Sequence, residues 1–356
     1  MSATTTLAAV MTSPRRTELR ELPIPEIPAG AGLLRVAASG VCGSDWPRYL
    51  REECAPSILG HEIVGHVEKI GRTAKERWGV TEGDYVAVEE YCRETGADPE
   101  GTLRYGSTPL DVPPALHGGN SRHLYLHPGS VLHRIPEGIS PHIAAMAAPL
   151  GDGFQWVERE AGAGPGKTVI VFGLTRAGFC CMVAAAVSGA DNVVAVGLTR
   201  DAGLFPIAMR LGATHTIAVD GEDARARVKD ITGGAMADIV IDTSNASAEI
   251  VNGGLTLLKA GGIMLCASLK KTPVPFDIDR IVNSRIRLAG ARGHSFAAVE
   301  RALQTMKSQR YPLESIATHS LGLADADLAL KMAGGETGER AIHIAVEPWK
   351  NGHALN

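Results

Sequence analysis

Two glycine-flanked segments carry side chains suited to metal or acid–base chemistry: Gly40-Val-Cys42-Gly-Ser44-Asp45 and Gly60-His61-Glu62-Ile-Val-Gly65. Thiolate, imidazole and carboxylate are the donor types that bind zinc. Taken singly, each has a plainer reading: Cys42 as a buried thiol, His61 as a turn residue satisfied by backbone. A third segment, Val169-Ile-Val-Phe-Gly173-Leu174-Thr175-Arg176-Ala177-Gly178, reads as strand, turn and helix. A dinucleotide fold presents a helix N-terminus to a pyrophosphate at such a turn. In the G-x-G-x-x-G spacing Gly173 and Gly178 take the first and third places, and Thr175 the second. A Cβ at the second place moves phosphate outward, although the Thr175 hydroxyl can hydrogen-bond it. A purely structural turn fits the same residues.

The next strand ends in Gly197-Leu198-Thr199-Arg200. In NAD-binding folds an Asp or Glu about 20 residues past the glycine loop holds the adenosine ribose. Gly197 removes that charge and makes room, Thr199 adds a hydroxyl, and Arg200 offers a guanidinium for a 2′-phosphate. These residues favour NADP over NAD. The alternative is that Arg200 is a solvated charge at a strand end.

The elements that must position these groups differ in texture along the chain. Residues 1–153 are rich in Pro, Gly and short alternating segments; 33–38, 63–70, 85–89 and 123–126 read as strands of a mostly β domain. Residues 92–120 read as a long polar excursion. From 167 onward short apolar runs (168–172, 193–196, 216–219, 238–241, 263–267) alternate with helical stretches (177–188, 205–211, 246–258). That alternation indicates an α/β doubly wound parallel sheet with crossover helices. Pro206 is expected in the first turn of its helix, where a missing N–H costs least.

Composition narrows the function classes. The 356 residues are 45% hydrophobic and 21% charged, an ordinary globular balance. With a net charge of −4 and only 4% aromatic residues, a general nucleic-acid or anionic-membrane binder is not expected. The six cysteines, Cys42, Cys54, Cys92, Cys180, Cys181 and Cys266, include no CxxC pair and read as thiols in a reducing compartment. The arginines near the N-terminus follow the mildly apolar stretch, unlike a signal peptide. The longest apolar run, 177–190, falls short of the ~18 residues of a membrane span. A soluble cytoplasmic protein is expected.

Taken together, the Cys42 and Gly60-His61-Glu62 segments upstream of a dinucleotide fold resemble the zinc-containing medium-chain alcohol dehydrogenase family. Gly71, Gly83-Asp84-Tyr-Val, Gly118-Gly119, the 167–178 loop and Gly261-Gly262 extend the resemblance over nearly the whole chain. It implies a GroES-like catalytic domain (1–153, completed by about 295–356) and a Rossmann coenzyme domain (154–294). It further implies a homodimer or homotetramer acting on a small alcohol, aldehyde or ketone.

In the family the residues matching Cys42 and His61 bind catalytic zinc, and Asp152 falls on the third-ligand position, with Glu62 as its rival. Ser44 matches a residue that takes the substrate hydroxyl proton. Pro47 stands where many members carry a relay histidine, so the relay must end differently or use water. The family's second, structural zinc needs four closely spaced cysteines, and only Cys92 lies there, so one zinc per chain is expected. The 92–120 excursion is then expected to be mobile and held by packing alone.

Ser268 and Leu269 match backbone facing the nicotinamide, Arg292 the strand end opposite, and His343 a cation sometimes used for the pyrophosphate. Trp46, Tyr49, Tyr91, the 92–120 excursion and Phe154 are expected to shape the substrate pocket, with Trp46 and Phe154 as an apolar wall. Two other readings remain open: a zinc-free NADPH-dependent quinone or enoyl reductase of the same superfamily, and a non-catalytic nucleotide-binding scaffold.

Overall fold

The computed structural model describes residues 4–52, 54–93, 103–244 and 249–350. The chain divides into two compact units, one comprising residues up to Ala147 and from Ile316 on, the other Ala148–Ser315.

In the first unit the strands are β1 (Thr5–Ser13), β2 (Arg16–Pro23), β3 (Gly32–Gly40), β4 (Ser57–Ile58), β5 (Glu62–Ile70), β6 (Tyr85–Val88), β7 (His123–Leu126) and β8 (Leu132–Arg134). β3 lies against β5 in antiparallel register, so that Gly40 faces Glu62. The apolar side chains Leu34, Val36, Ile63, Val67, Val86 and Leu124 of these strands meet in one core cluster. The C-terminal segment returns to this unit: its last strand (His343–Glu347) pairs with β3, placing Ala345 opposite Gly40.

The described part of the 92–120 excursion is tied down by hydrogen bonds, which corrects the expectation of a segment held by packing alone. Leu110 N donates to Pro56 O at 2.7 Å, Gly119 N to Gly60 O at 2.8 Å and Asn120 N to Leu59 O at 2.9 Å. Tyr105 is the hub. Its hydroxyl donates to Tyr125 O at 3.0 Å, accepts from His127 N at 2.9 Å and meets Ser130 Oγ at 2.7 Å. Tyr105 is fully buried, so Tyr105→Phe strands polar partners away from water. A loss of about 1–3 kcal/mol in stability is expected by urea unfolding; a wild-type midpoint would contradict it.

In the second unit the strands are β9 (Thr168–Phe172), β10 (Asn192–Gly197), β11 (His215–Ala218), β12 (Ala237–Asp242), β13 (Leu258–Cys266) and β14 (Arg287–Gly290). They form a six-stranded sheet in the order β11-β10-β9-β12-β13-β14, parallel throughout. β9 is buried along its whole length, as expected of an apolar run covered on both faces. The chain leaves the sheet edge at β11 and re-enters beside β9 as β12, so the order reverses between these two strands. Their last residues, Phe172 and Asp242, are partners. The loop after β9 therefore starts at the switch point where open α/β sheets bind ligands. Helix Arg176–Val187 follows it. Pro206 lies in the first turn of helix Phe205–Arg210. Part of the expected helix 246–258 lies outside the described residues; Glu249–Leu257 is helical.

Candidate functional site

Gly40 and Glu62 close the β3–β5 ladder, and this edge gathers the first group. One ligand atom each of Cys42, His61 and Glu62 lies within 4.8 Å of the others, the one such group among the described residues. A Cβ on Gly40 would fall 2.3 Å from Glu62 Oε2 and 3.1 Å from the His343 ring. Glycine there is what lets this carboxylate sit against the strand. Cys42 and Ser44 lead into the short helix Asp45–Tyr49. Ser44 is its N-cap residue, but its hydroxyl makes no capping bond.

Asp45 organises the group. Its Oδ2 accepts from Cys42 N at 3.0 Å, and its Oδ1 lies 3.2 Å from His61 Nδ1. Asp45 is 1% exposed and His61 7%. Burial raises the Asp45 carboxyl, but the His61 ring, Cys42 N–H and Arg48 outweigh it and hold the pKa below its ordinary value. Burial pulls the His61 ring down, yet the Asp45 charge and the Cys42 thiol bring it well above its ordinary value. Asp45 Oδ1 and His61 Nδ1 are buried without an aligned hydrogen bond. With Nδ1 turned to a carboxylate, His61 offers Nε2 as its ligand face, the arrangement usual for metal-binding histidines. Donor types and orphaned polar atoms thus fit a zinc ion. Asp45 belongs to the quoted motif, but its role here depends on His61, sixteen residues away.

Asp152 lies in the second unit, in helix Ala147–Phe154, where its Oδ1 meets His294 Nδ1 at 2.9 Å. His294 was not among the residues singled out from sequence. The expectation for His343 is corrected: it is fully buried in the first unit, and its Nε2 donates to His142 O at 3.0 Å. Two residues expected to shape the pocket are core residues instead. Tyr49 is 0% exposed and its hydroxyl bonds to Asp327; Phe154 is 1% exposed. Tyr91 is exposed, under the Arg104 guanidinium.

The glycine loop sits at the switch point. Gly173 has φ +99°, a left-handed conformation that glycine adopts without strain. A Cβ on Gly178 would lie 2.0 Å from Gly173 O. Thr175 is the N-cap of helix Arg176–Val187, its Oγ1 accepting from Gly178 N at 3.1 Å. The threonine that replaces the second glycine therefore closes its own helix start. Leu174 is buried. Arg176 and Ala177 form the first turn, whose backbone N–H groups point out of the helix end.

At the end of β10, Thr199 N and Thr199 Oγ1 both donate to Asp220 Oδ1, at 2.7 and 2.9 Å. Asp201 Oδ2 accepts from Leu198 N at 2.9 Å and would lie 3.2 Å from a Cβ on Gly197. Arg200 and Arg292 are exposed, Ser268 is half-buried, and Leu269 is 89% exposed. Behind Leu269, Lys270 Nζ pairs with the buried Asp242 Oδ2 at 2.6 Å and donates to Ser244 O at 2.8 Å. This anchors the segment beside the glycine loop.

Residues 28–137 match the alcohol dehydrogenase GroES-like domain, and residues 177–308 the zinc-binding dehydrogenase domain. A probable alcohol dehydrogenase of Mycobacterium tuberculosis is 34% identical over 360 residues, covering 96% of this chain and 98% of that protein. The L-threonine 3-dehydrogenase of Bacillus subtilis is 27% identical over 332 residues, covering 90% and 93%. Among solved structures, an alcohol dehydrogenase from Thermotoga maritima superposes with TM-score 0.86 at 23% identity, covering 97% of this chain and 100% of that one. That likeness speaks for the fold.

Proposed function

Because the chain belongs to the zinc-type medium-chain alcohol dehydrogenase family, we propose that it transfers hydride between a small alcohol or carbonyl substrate and NADP(H), with one zinc per chain. The convergence of Cys42, His61 and Glu62 on one buried point carries this reading. Cys42 and His61 would hold the ion, and the family pattern supports Asp152 as the third ligand, with Glu62 standing beside them. Bound there, zinc would polarise the substrate oxygen and lower the pKa of its hydroxyl.

The chain's own residues do the rest. Asp45 fixes the His61 ring. The Ser44 hydroxyl, not engaged in capping, takes the substrate proton and, with Pro47 three residues on, passes it to water. The loop 173–178 binds the pyrophosphate. Gly197, Thr199 and Arg200 receive the 2′-phosphate, with Ser268 and Leu269 at the nicotinamide. The outer edge of β14 and the exposed Ile278 and Val282 support association of subunits into a dimer or tetramer. Among the described residues no helix is long and apolar enough to cross a membrane.

The test is elemental analysis of the purified protein, followed by a panel of alcohols and aldehydes assayed with each coenzyme before and after chelation. One zinc per chain is expected, with alcohol-dependent reduction of NADP that chelation abolishes and added zinc restores. Two tightly held zinc ions per chain, or activity indifferent to chelation, would count against it.

A further inference from the structure

β11 runs parallel to β10 with Ala218 opposite Gly197, so the residues just past both strand ends emerge together. Asp220 comes from the β11 side and Thr199-Arg200 from the β10 side. A single Asp220 oxygen receives both the N–H and the O–H of Thr199. Gly221 lets the two sides close: a Cβ there would lie 3.3 Å from Thr199 Oγ1. The Thr199 hydrogen bonds, with Arg200 adding attraction, hold the Asp220 carboxyl below its ordinary pKa. It is therefore an anion at neutral pH.

A backbone N–H, a hydroxyl and a neighbouring guanidinium are the donors that a phosphate monoester uses. Asp220 thus takes, from within the chain, the Thr199 donors that the coenzyme reading above gives to a 2′-phosphate. We propose that Asp220 is a specificity-determining residue that limits the preference for NADP(H) over NAD(H), by holding the Thr199 donors and opposing a second anion there. The inference rests on the coenzyme reading above. An incoming 2′-phosphate must displace the carboxylate from Thr199 and then lie beside it, two costs that the unphosphorylated ribose of NAD(H) does not meet. Asp201 is a second carboxylate nearby, but its Oδ2 caps Leu198 N rather than taking the Thr199 donors.

The experiment is a fluorescence titration of the full-length protein with NADPH and with NADH, for wild type, Asp220→Ala, Asp220→Asn and Glu222→Gln. The readout is the ratio of the two dissociation constants. Asp220→Ala should move it at least about tenfold toward NADPH, and Asp220→Asn, which keeps an acceptor but loses the charge, by a smaller factor in the same direction. Glu222 pairs with Arg227 and accepts from Ala218 N, so Glu222→Gln removes a nearby charge without freeing Thr199 and should move the ratio less than twofold. Ratios within twofold of wild type for both Asp220 variants overturn the inference, as does an equal shift in Glu222→Gln, which would reduce the effect to net charge. The wild-type titration tests the coenzyme reading separately. Tighter NADH than NADPH there denies the NADP preference and leaves the Asp220 shift to be judged by its variants, whereas binding of neither overturns both.

Discussion

His61→Ala should purify as a folded protein without zinc, and its alcohol-dependent turnover should fall by about a thousandfold or more. The size follows from the several kcal/mol that a Lewis acid contributes to charge stabilisation. Folding should survive, because the core clusters of the first unit are built from side chains such as Leu34, Val36, Ile63 and Val67 and do not need the ion. Asp152→Ala is expected to lose zinc and activity likewise. Glu62→Ala should weaken zinc by about 10–100-fold, as loss of a supporting group does. Elemental analysis with competition by a chromogenic chelator reads all three. If Asp152→Ala keeps its zinc while Glu62→Ala loses it, Glu62 is the ligand, and the Asp152–His294 pair belongs to the second unit's own structure.

Gly178→Ala is expected to disable the coenzyme loop. The added methyl would meet Gly173 O at 2.0 Å and Thr243 Oγ1 at 2.9 Å. Thr243 Oγ1 itself donates to Phe172 O at 2.8 Å, so the end of β9 holds it in place. The first turn of helix Arg176–Val187 must move away from Gly173, breaking the Thr175 cap. Overpacking of this kind costs about 3 kcal/mol, and a displacement of about 1 Å in a positioning loop lowers turnover by about a hundredfold. Urea unfolding and NADPH titration together check this. A wild-type midpoint with undiminished coenzyme affinity would show that the loop yields where the packing says it does not.

Local order along the chain determined much of this protein. The β9–turn–helix unit was legible because its signals act over a few residues: a continuous apolar run, then glycines at the spacing of a tight turn, then a run of helical length. That Thr175 caps the helix three residues ahead appeared only in the structure. Pro206 marked a helix start for the same reason. The alternation of runs and helices implied a parallel sheet, and Cys42 and Gly60-His61-Glu62 could be picked out by residue type.

What joins distant segments was decided only in three dimensions. Glu62 sits over Gly40 because of the β3–β5 register. Asp45 finds His61 because the turn after β3, closed by Asp45 N donating to Cys42 O, brings its carboxylate within 3.2 Å of the ring. Tyr105 ties down the 103–120 segment through partners twenty and more residues away. His343, which looked like a coenzyme cation, is carried into the first unit when the last strand pairs with β3. Thr199 and Asp220 meet because β10 and β11 are neighbours. A short window of sequence records i to i+4 interactions. Strand order and register arise from burying several such windows against one another, and they set which polar groups end side by side.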